Sequence, residues 1–452
     1  MDKRLMSPLK TAALLLTVAA LLLPATSYSQ ERLTLQEAIR IGLQQNYDIR
    51  IADKQEDIAE NNVTLGNAGF LPNVDGRASR TFSENNSRQE FQARPPVVRT
   101  GATSNNISTS VALNWTIFDG MGMFIELDRL KTLEKSGKLL TRQVIENTVA
   151  GISDAYYEVV RQSRRIQALE DAIAISQQRI DLAQAQYEVG VRAKVEILRA
   201  QVDFNADRSE LLRQEEALQN AKINLNQLLG RAPTIAFVAT DSILVDHSLN
   251  YGQVDNALMA SNPLLQRLQL NREIAVLDIK AVRASRFPTI GIASAYNFSR
   301  SEAEPLNEFQ AQFNRNRGYN YGLVLSVPIF NGFNINRLSQ NARINLETSN
   351  LELQREQNRL QAEVARAYSQ YANRLKLLEL EETNVKLAQE NADIALERYK
   401  LGLLTAIELR EAQRNQLLAE NRLIDIKYEA KTAETELKRL SSSLLGINDN
   451  RP

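Results

Sequence analysis

Apolar residues recur at every seventh position along two stretches of this chain. The first set is Ile152, Val159, Ile166, Ile173, Ile180 and Tyr187; the second is Val364, Tyr371, Leu378, Val385, Ala392 and Tyr399. A sustained seven-residue period predicts helices packed as a left-handed coiled coil. The helix breakers agree with this. No proline lies between Pro96 and Pro233 or between Pro328 and Pro452, and Gly402 is the only glycine from Asn334 to Leu445. The pattern predicts long helices over about 122–188, 192–229, 334–400 and 404–445, with shorter ones over about 34–68 and 254–286. A helix of the longest kind would run about 100 Å at ~1.5 Å per residue.

The two sets belong to a duplication. Tyr187-Glu188-Val189-Gly190, followed by Val195-Glu196-Ile197 and Ala200-Gln201, returns 212 residues later as Tyr399-Lys400-Leu401-Gly402, Ile407-Glu408-Leu409 and Ala412-Gln413. Each glycine falls between two helical stretches, where the chain must reverse and glycine accepts positive φ.

A second period, of two, appears ahead of each long helix. Ile107, Thr109, Val111, Leu113, Trp115 and Ile117 alternate with small or polar residues. Tyr319, Tyr321, Leu323, Leu325, Val327 and Ile329 do the same in the second copy. Alternation over ten or more residues is the signature of a membrane-barrel strand. Each strand is expected to pair with an earlier one after Pro72 or Pro288. The partner at 290–299 alternates well. The one at 74–82 does not, because Arg80 falls on the face that should be apolar, and a bulge or register shift would account for it. Polar loops are expected at about 83–105 and 301–317. Trp115, Tyr296, Tyr319 and Tyr321 suit an aromatic girdle at the membrane interface.

Composition narrows the choice of function. A basic start (Lys3, Arg4, Lys10), an apolar run from Thr11 to Leu23 and the small-x-small Ser27-Tyr28-Ser29 read as a signal peptide over 1–29. There is no cysteine, which excludes a disulfide framework and a zinc-thiolate site. With His247 the only histidine, no His-based metal cluster or Ser-His-Asp triad can be built on one chain. Lys+Arg and Asp+Glu both count 54, so no basic excess points to nucleic acid. No glycine-rich phosphate loop occurs. The expectation is a protein without catalytic, metal or cofactor site.

Four strands cannot close a membrane barrel, and an open edge in lipid leaves backbone groups unpaired. Three copies give twelve strands, which cyclic symmetry can close. At this point the chain resembles TolC-like outer-membrane efflux proteins. The resemblance rests on Leu71-Pro72, Ile117-Phe118-Asp119-Gly120, Ile329-Phe330-Asn331-Gly332 and the two Tyr-to-Gly motifs, in order through both copies. It implies an α+β membrane protein: a homotrimeric twelve-stranded β-barrel in outer-membrane lipid, continued by a long α-helical coiled-coil tunnel in the periplasm. It also implies a passive duct that couples to a periplasmic adaptor (a membrane fusion protein) and an inner-membrane pump or type I secretion machine. The expected organisation is a first repeat at 30–230 with strands about 74–117 and its tip at 190. An equatorial segment at 231–253 follows, then a second repeat at 254–446 with strands about 290–329 and its tip at 402. A tail covers 447–452.

The resemblance also points to residues. Gly190, Val191 and Arg192 with Gly402, Leu403 and Leu404 correspond to tips that narrow the tunnel and meet the adaptor. Glu408 and Glu411, three residues apart on one helix face, match acidic constriction rings, for which Arg410 and Arg414 are alternative ion-pair partners. Tyr399 matches a tyrosine of the closed tip, although a heptad seam would also use it. Leu404 departs from the family, which often has arginine there; Arg192 holds the equivalent place in the first copy. The competing expectation is a periplasmic coiled-coil adaptor or structural rod, which would be soluble without detergent.

Overall fold

The computed structural model describes residues 31–304 and 311–444. The signal peptide expected over 1–29 and the tail expected over 447–452 lie outside the described residues. The chain runs β1 (Glu31–Leu33), α1 (Leu35–Gln45), α2 (Tyr47–Asn61), β2 (Asn73–Phe91), β3 (Arg94–Phe118), α3 (Gly122–Glu188) and α4 (Lys194–Leu228). It continues with β4 (Phe237–Ala239), α5 (Tyr251–Ser261), α6 (Pro263–Ala284), β5 (Thr289–Glu304), β6 (Phe313–Ser326), α7 (Asn334–Lys400) and α8 (Ala406–Leu440). The duplication is visible residue for residue. Both α3 and α7 have 67 residues and both α4 and α8 have 35, each pair offset by 212.

In each repeat the short arm is two helices hinged at an asparagine. Asn46 accepts from the amides of Asp48 and Ile49 and donates to the carbonyl of Leu228. Asn262 accepts from the amides of Leu264 and Leu265 and donates to the carbonyl of Leu440. One amide side chain thus caps a new helix and satisfies a carbonyl at the end of the long hairpin. Around these hinges lie two related cores. One gathers Leu33, Ile152, Tyr156, Leu225 and Phe237; the other gathers Val254, Leu258, Val364, Tyr371 and Leu437. The segment after α4 closes over the first core, where β4 pairs in parallel with β1. His247 lies exposed in this segment.

The sheet has the order β2-β3-β5-β6, antiparallel throughout. Its outer strands, β2 and β6, have no strand beyond them among the described residues. Two expectations change. The loop predicted at 83–105 is a β-hairpin paired as far as Phe91 and Arg94. Its polar sequence is compatible with a two-stranded ribbon because both faces are solvated. Likewise 301–304 and 313–317 are strand, while β6 stops at Ser326, short of the predicted Ile329. Pro328 has no amide to donate to a ladder. Among the described residues no helix is long and apolar enough to cross a membrane.

One face of the sheet is apolar. It carries Val74 and Leu113, then Val111, Tyr296 and Tyr319, with Trp115, Ile292 and Leu323 nearer the helices. The other carries Ser110, Ala112, Asn114, Ala293, Ala295, Asn297, Asn320 and Gly322. The four residues expected to form a girdle therefore share one face. Tyr319 and Tyr321 stack at 6.3 Å, and the Trp115 indole donates to the Phe70 carbonyl at 2.8 Å.

Candidate functional site

The tips at the far ends of the two helical hairpins are built alike. After α3, Gly190 has φ +77°; its amide reaches the Tyr187 carbonyl and the Val191 amide reaches Gln186. After α7, Gly402 has φ +76°; its amide reaches the Tyr399 carbonyl and the Leu403 amide reaches Arg398. Both are paired six-to-one and five-to-two bonds that end a helix at a left-handed residue. Neither glycine has a neighbour that a Cβ would meet, so the backbone turn itself demands glycine.

The side chains around the tips differ. Tyr399 is 1% exposed and packs with Ala395, Leu409 and Ala412 of its own hairpin and with Leu182 of α3 and Leu404. Its repeat-mate Tyr187 is 43% exposed. Burial pushes the Tyr399 hydroxyl above its ordinary pKa. Arg192 crosses from the first tip to the second: its guanidinium lies 5.6 Å from the Tyr399 ring centre and donates to the Leu404 carbonyl at 3.4 Å. Leu404 itself packs against the apolar cluster that contains Tyr399.

The two predicted gate carboxylates do different things. Glu408 closes a capping box, accepting from the Thr405 amide at 2.9 Å and hydroxyl at 2.7 Å. Those bonds hold its carboxyl below the ordinary range. Glu411 makes no hydrogen bond or ion pair among the described residues and lines a groove of about 780 Å³ between α4 and α8. Among the described residues Arg410 pairs with Asp203 and Asp207, and neither it nor Arg414 pairs with Glu408 or Glu411, which corrects that alternative. The first copy lacks the box because Ala193 stands at the cap. Its Glu196 pairs with Arg199 at 3.3 Å.

Arg410 turns instead to α4. Its two terminal nitrogens bond Asp207 at 2.7 and 2.9 Å, and its Nε lies 3.7 Å from Asp203. Arg179 of α3 pairs with Asp203 and donates to Gln413 of α8 at 3.3 Å, and Ser176 donates to Asp207 at 2.7 Å. Arg179 and Asp207 are both buried. The cluster joins α3, α4 and α8, so it ties the first hairpin to the second. Sequence reasoning missed it. The available signal was asymmetry: the repeat-mates of Arg179, Asp203, Asp207 and Arg410 are Asn391, Asn415, Ala419 and Leu198, and none is charged.

The chain as a whole is similar to known proteins. The family model described as "Outer membrane efflux protein" matches residues 38–231 and 255–443. The proteases secretion protein PrtF of Dickeya chrysanthemi is 19% identical over 448 residues, covering 96% of this chain and 93% of the relative. The cation efflux system protein CusC of Escherichia coli K12 is 22% identical over 407 residues, covering 87% and 82%. Among solved structures, the Campylobacter jejuni CmeC outer membrane channel has a TM-score of 0.73 at 15% identity, covering 90% of this chain and 85% of that one.

Proposed function

The chain belongs to the outer membrane efflux protein family, and on that footing we propose that three copies form one closed duct across the outer membrane and periplasm. The observation that carries this reading is the open four-stranded sheet set on paired helices of about 100 Å. A sheet with an apolar outer face and two free edges is unstable in lipid until those edges pair. Three copies supply twelve strands, and pairing β6 of one copy with β2 of the next removes every edge. The small and polar face then lines the lumen, as in other membrane barrels.

The duct carries out no chemistry. It is a passive exit for substrates delivered by an inner-membrane pump through a periplasmic adaptor, in an efflux or type I secretion assembly. The names of CusC and PrtF, a cation efflux protein and a proteases secretion protein, support both settings. The adaptor meets the tips around Gly190, Val191, Arg192, Gly402, Leu403 and Leu404. Tyr399, held under Arg192, keeps the second tip closed. Three copies of Glu411, with Glu408 at the helix start beside it, ring the narrow end and favour cations there.

Planar-bilayer recording tests the duct and its gate together. Glu408→Ala with Glu411→Ala is expected to raise single-channel conductance or abolish its block by divalent cations. Unchanged conductance and block would remove the gate assignment. Absence of channels from the wild-type protein would remove the duct itself.

A further inference from the structure

Arg80, the residue that broke the apolar pattern of β2, is not displaced by a bulge. The register of β2 on β3 is unbroken from Asn73 to Asn85. Arg80 therefore stands on the apolar face by design of the sheet, and it is not alone there. It is opposite Ile107, which is opposite Arg300, which is opposite Arg315. Arg317, opposite Phe298, lies one pair nearer the helices on the same face. Four arginines on three strands thus form a row across the lipid side of the sheet.

The height of the row identifies its surroundings. The apolar face begins near Ile290, paired with Leu325, at the helix end of the sheet. Arg300 is ten residues further along the strand, about 33 Å at ~3.3 Å per residue. A barrel tilt of roughly 40° leaves about 25 Å of height, the thickness of the apolar band of outer-membrane barrels. The row sits where hydrocarbon gives way to headgroups, on the side away from the helices.

Two arginines are anchored. Arg80 bonds Asn105 at 3.1 Å and lies 4.5 Å from the Phe82 ring centre; Arg300 pairs with Glu302 and lies 5.2 Å from the Phe313 ring centre. Arg315 and Arg317 are exposed and make no hydrogen bond or ion pair among the described residues. The carboxylates of this face, Glu302 and then Glu84 and Glu304, lie beyond the row, away from the apolar band. The arginines are thus the first charges that a lipid headgroup meets.

We propose that this row binds the phosphorylated headgroup of an outer-leaflet lipid, with Arg315 and Arg317 as its principal contacts. The inference rests on the barrel reading above. Guanidinium groups match phosphate oxygens in pairs, and three copies would set three such rows around the barrel.

The test uses the full chain purified as a trimer in detergent. Retention of fluorescent lipid A is compared with that of the same lipid without its phosphates. The wild-type protein is expected to hold the phosphorylated probe about 30-fold more tightly than the dephosphorylated one. Arg315→Gln with Arg317→Gln should lose that difference, at roughly a tenfold factor or somewhat less per guanidinium near an anionic surface. Arg77→Gln, opposite Ser110 on the other face of the sheet, should keep it. Equal binding of the two probes, or an unaffected double variant, would overturn the proposal. So would displacement of the lipid by millimolar inorganic phosphate, which would mark a free-anion site. A wild-type chain that forms no heat-modifiable trimer fails the barrel reading; an intact trimer with no phosphate preference fails only this proposal.

Discussion

Arg410 grips Asp207 through two hydrogen bonds, 2.7 and 2.9 Å, and in doing so fastens the second helical hairpin to the first close to their tips. Asp207 is buried, and Arg179 and Asp203 extend the contact to a third helix. The paired charges hold a geometry that neither hairpin fixes alone.

Arg410→Ala should therefore loosen the tips without unfolding the chain. Removing one partner leaves a buried carboxylate uncompensated, at a cost of about 3 kcal/mol. Hydrogen exchange of the segments around 190–210 and 400–415 should speed by about a hundredfold, while the hinge cores keep their protection. Arg410→Lys should not rescue, because a single ammonium cannot make the two parallel bonds. Unchanged exchange at the tips would show that the cluster does not hold them.

Glu408 and Glu411 can be separated experimentally. Glu408→Ala removes the carboxylate half of the capping box together with a charge, and Thr405→Ala removes the hydroxyl half and leaves the charge in place. Both variants should fray the start of α8, and only Glu408→Ala should also remove a charge from the tip. Relief of divalent block in bilayers should follow Glu411→Ala. Block that persists in Glu411→Ala and in Thr405→Ala but disappears in Glu408→Ala would reverse the two roles.

Asp154, on α3, is half-buried against α8, and burial pushes its carboxyl up to about 7, helped by Glu436 and opposed by Arg439. An acid whose folded pKa is raised binds its proton more tightly in the native state. Its stabilising effect is complete below the unfolded value of about 4 and is lost as pH rises through 7. Thermal unfolding of the solubilised protein should show a midpoint that falls between pH 5 and pH 8. Asp154→Asn should flatten that decline and raise the midpoint at pH 8. An equal decline in the variant would assign the pH dependence elsewhere.

The hinge asparagines should behave as a pair. Asn46→Ala and Asn262→Ala each remove a cap and leave a carbonyl of Leu228 or Leu440 without its donor. Each change is expected to cost about 2–3 kcal/mol, a cap plus an unsatisfied group. Chemical denaturation curves of the two variants should shift alike. A shift in only one would mean that the hinges are not equivalent supports.

The long helices were legible because a seven-residue period and the absence of proline and glycine leave few alternatives. The tips were legible because Gly190 and Gly402 interrupt that period at matched places. Loop lengths were not: a polar ribbon such as 83–105 reads like a loop when neither face is buried. Arg80 looked like an error in a strand because one strand alone cannot show that Arg300 and Arg315 stand beside it. The Arg410–Asp207 contact was hidden for a related reason. Charged residues cover every helix surface, and only packing tells which of them meet across hairpins.

The account depends most on closure of the open sheet by three copies. The chain has no cysteine, so Ala78→Cys on β2 can be combined with single cysteines placed in turn from 315 to 323 on β6. Oxidation in outer-membrane fractions should yield a covalent trimer as the largest species at one register of that scan. Monomers at every register, or an open-ended ladder of larger species, would contradict the closed barrel.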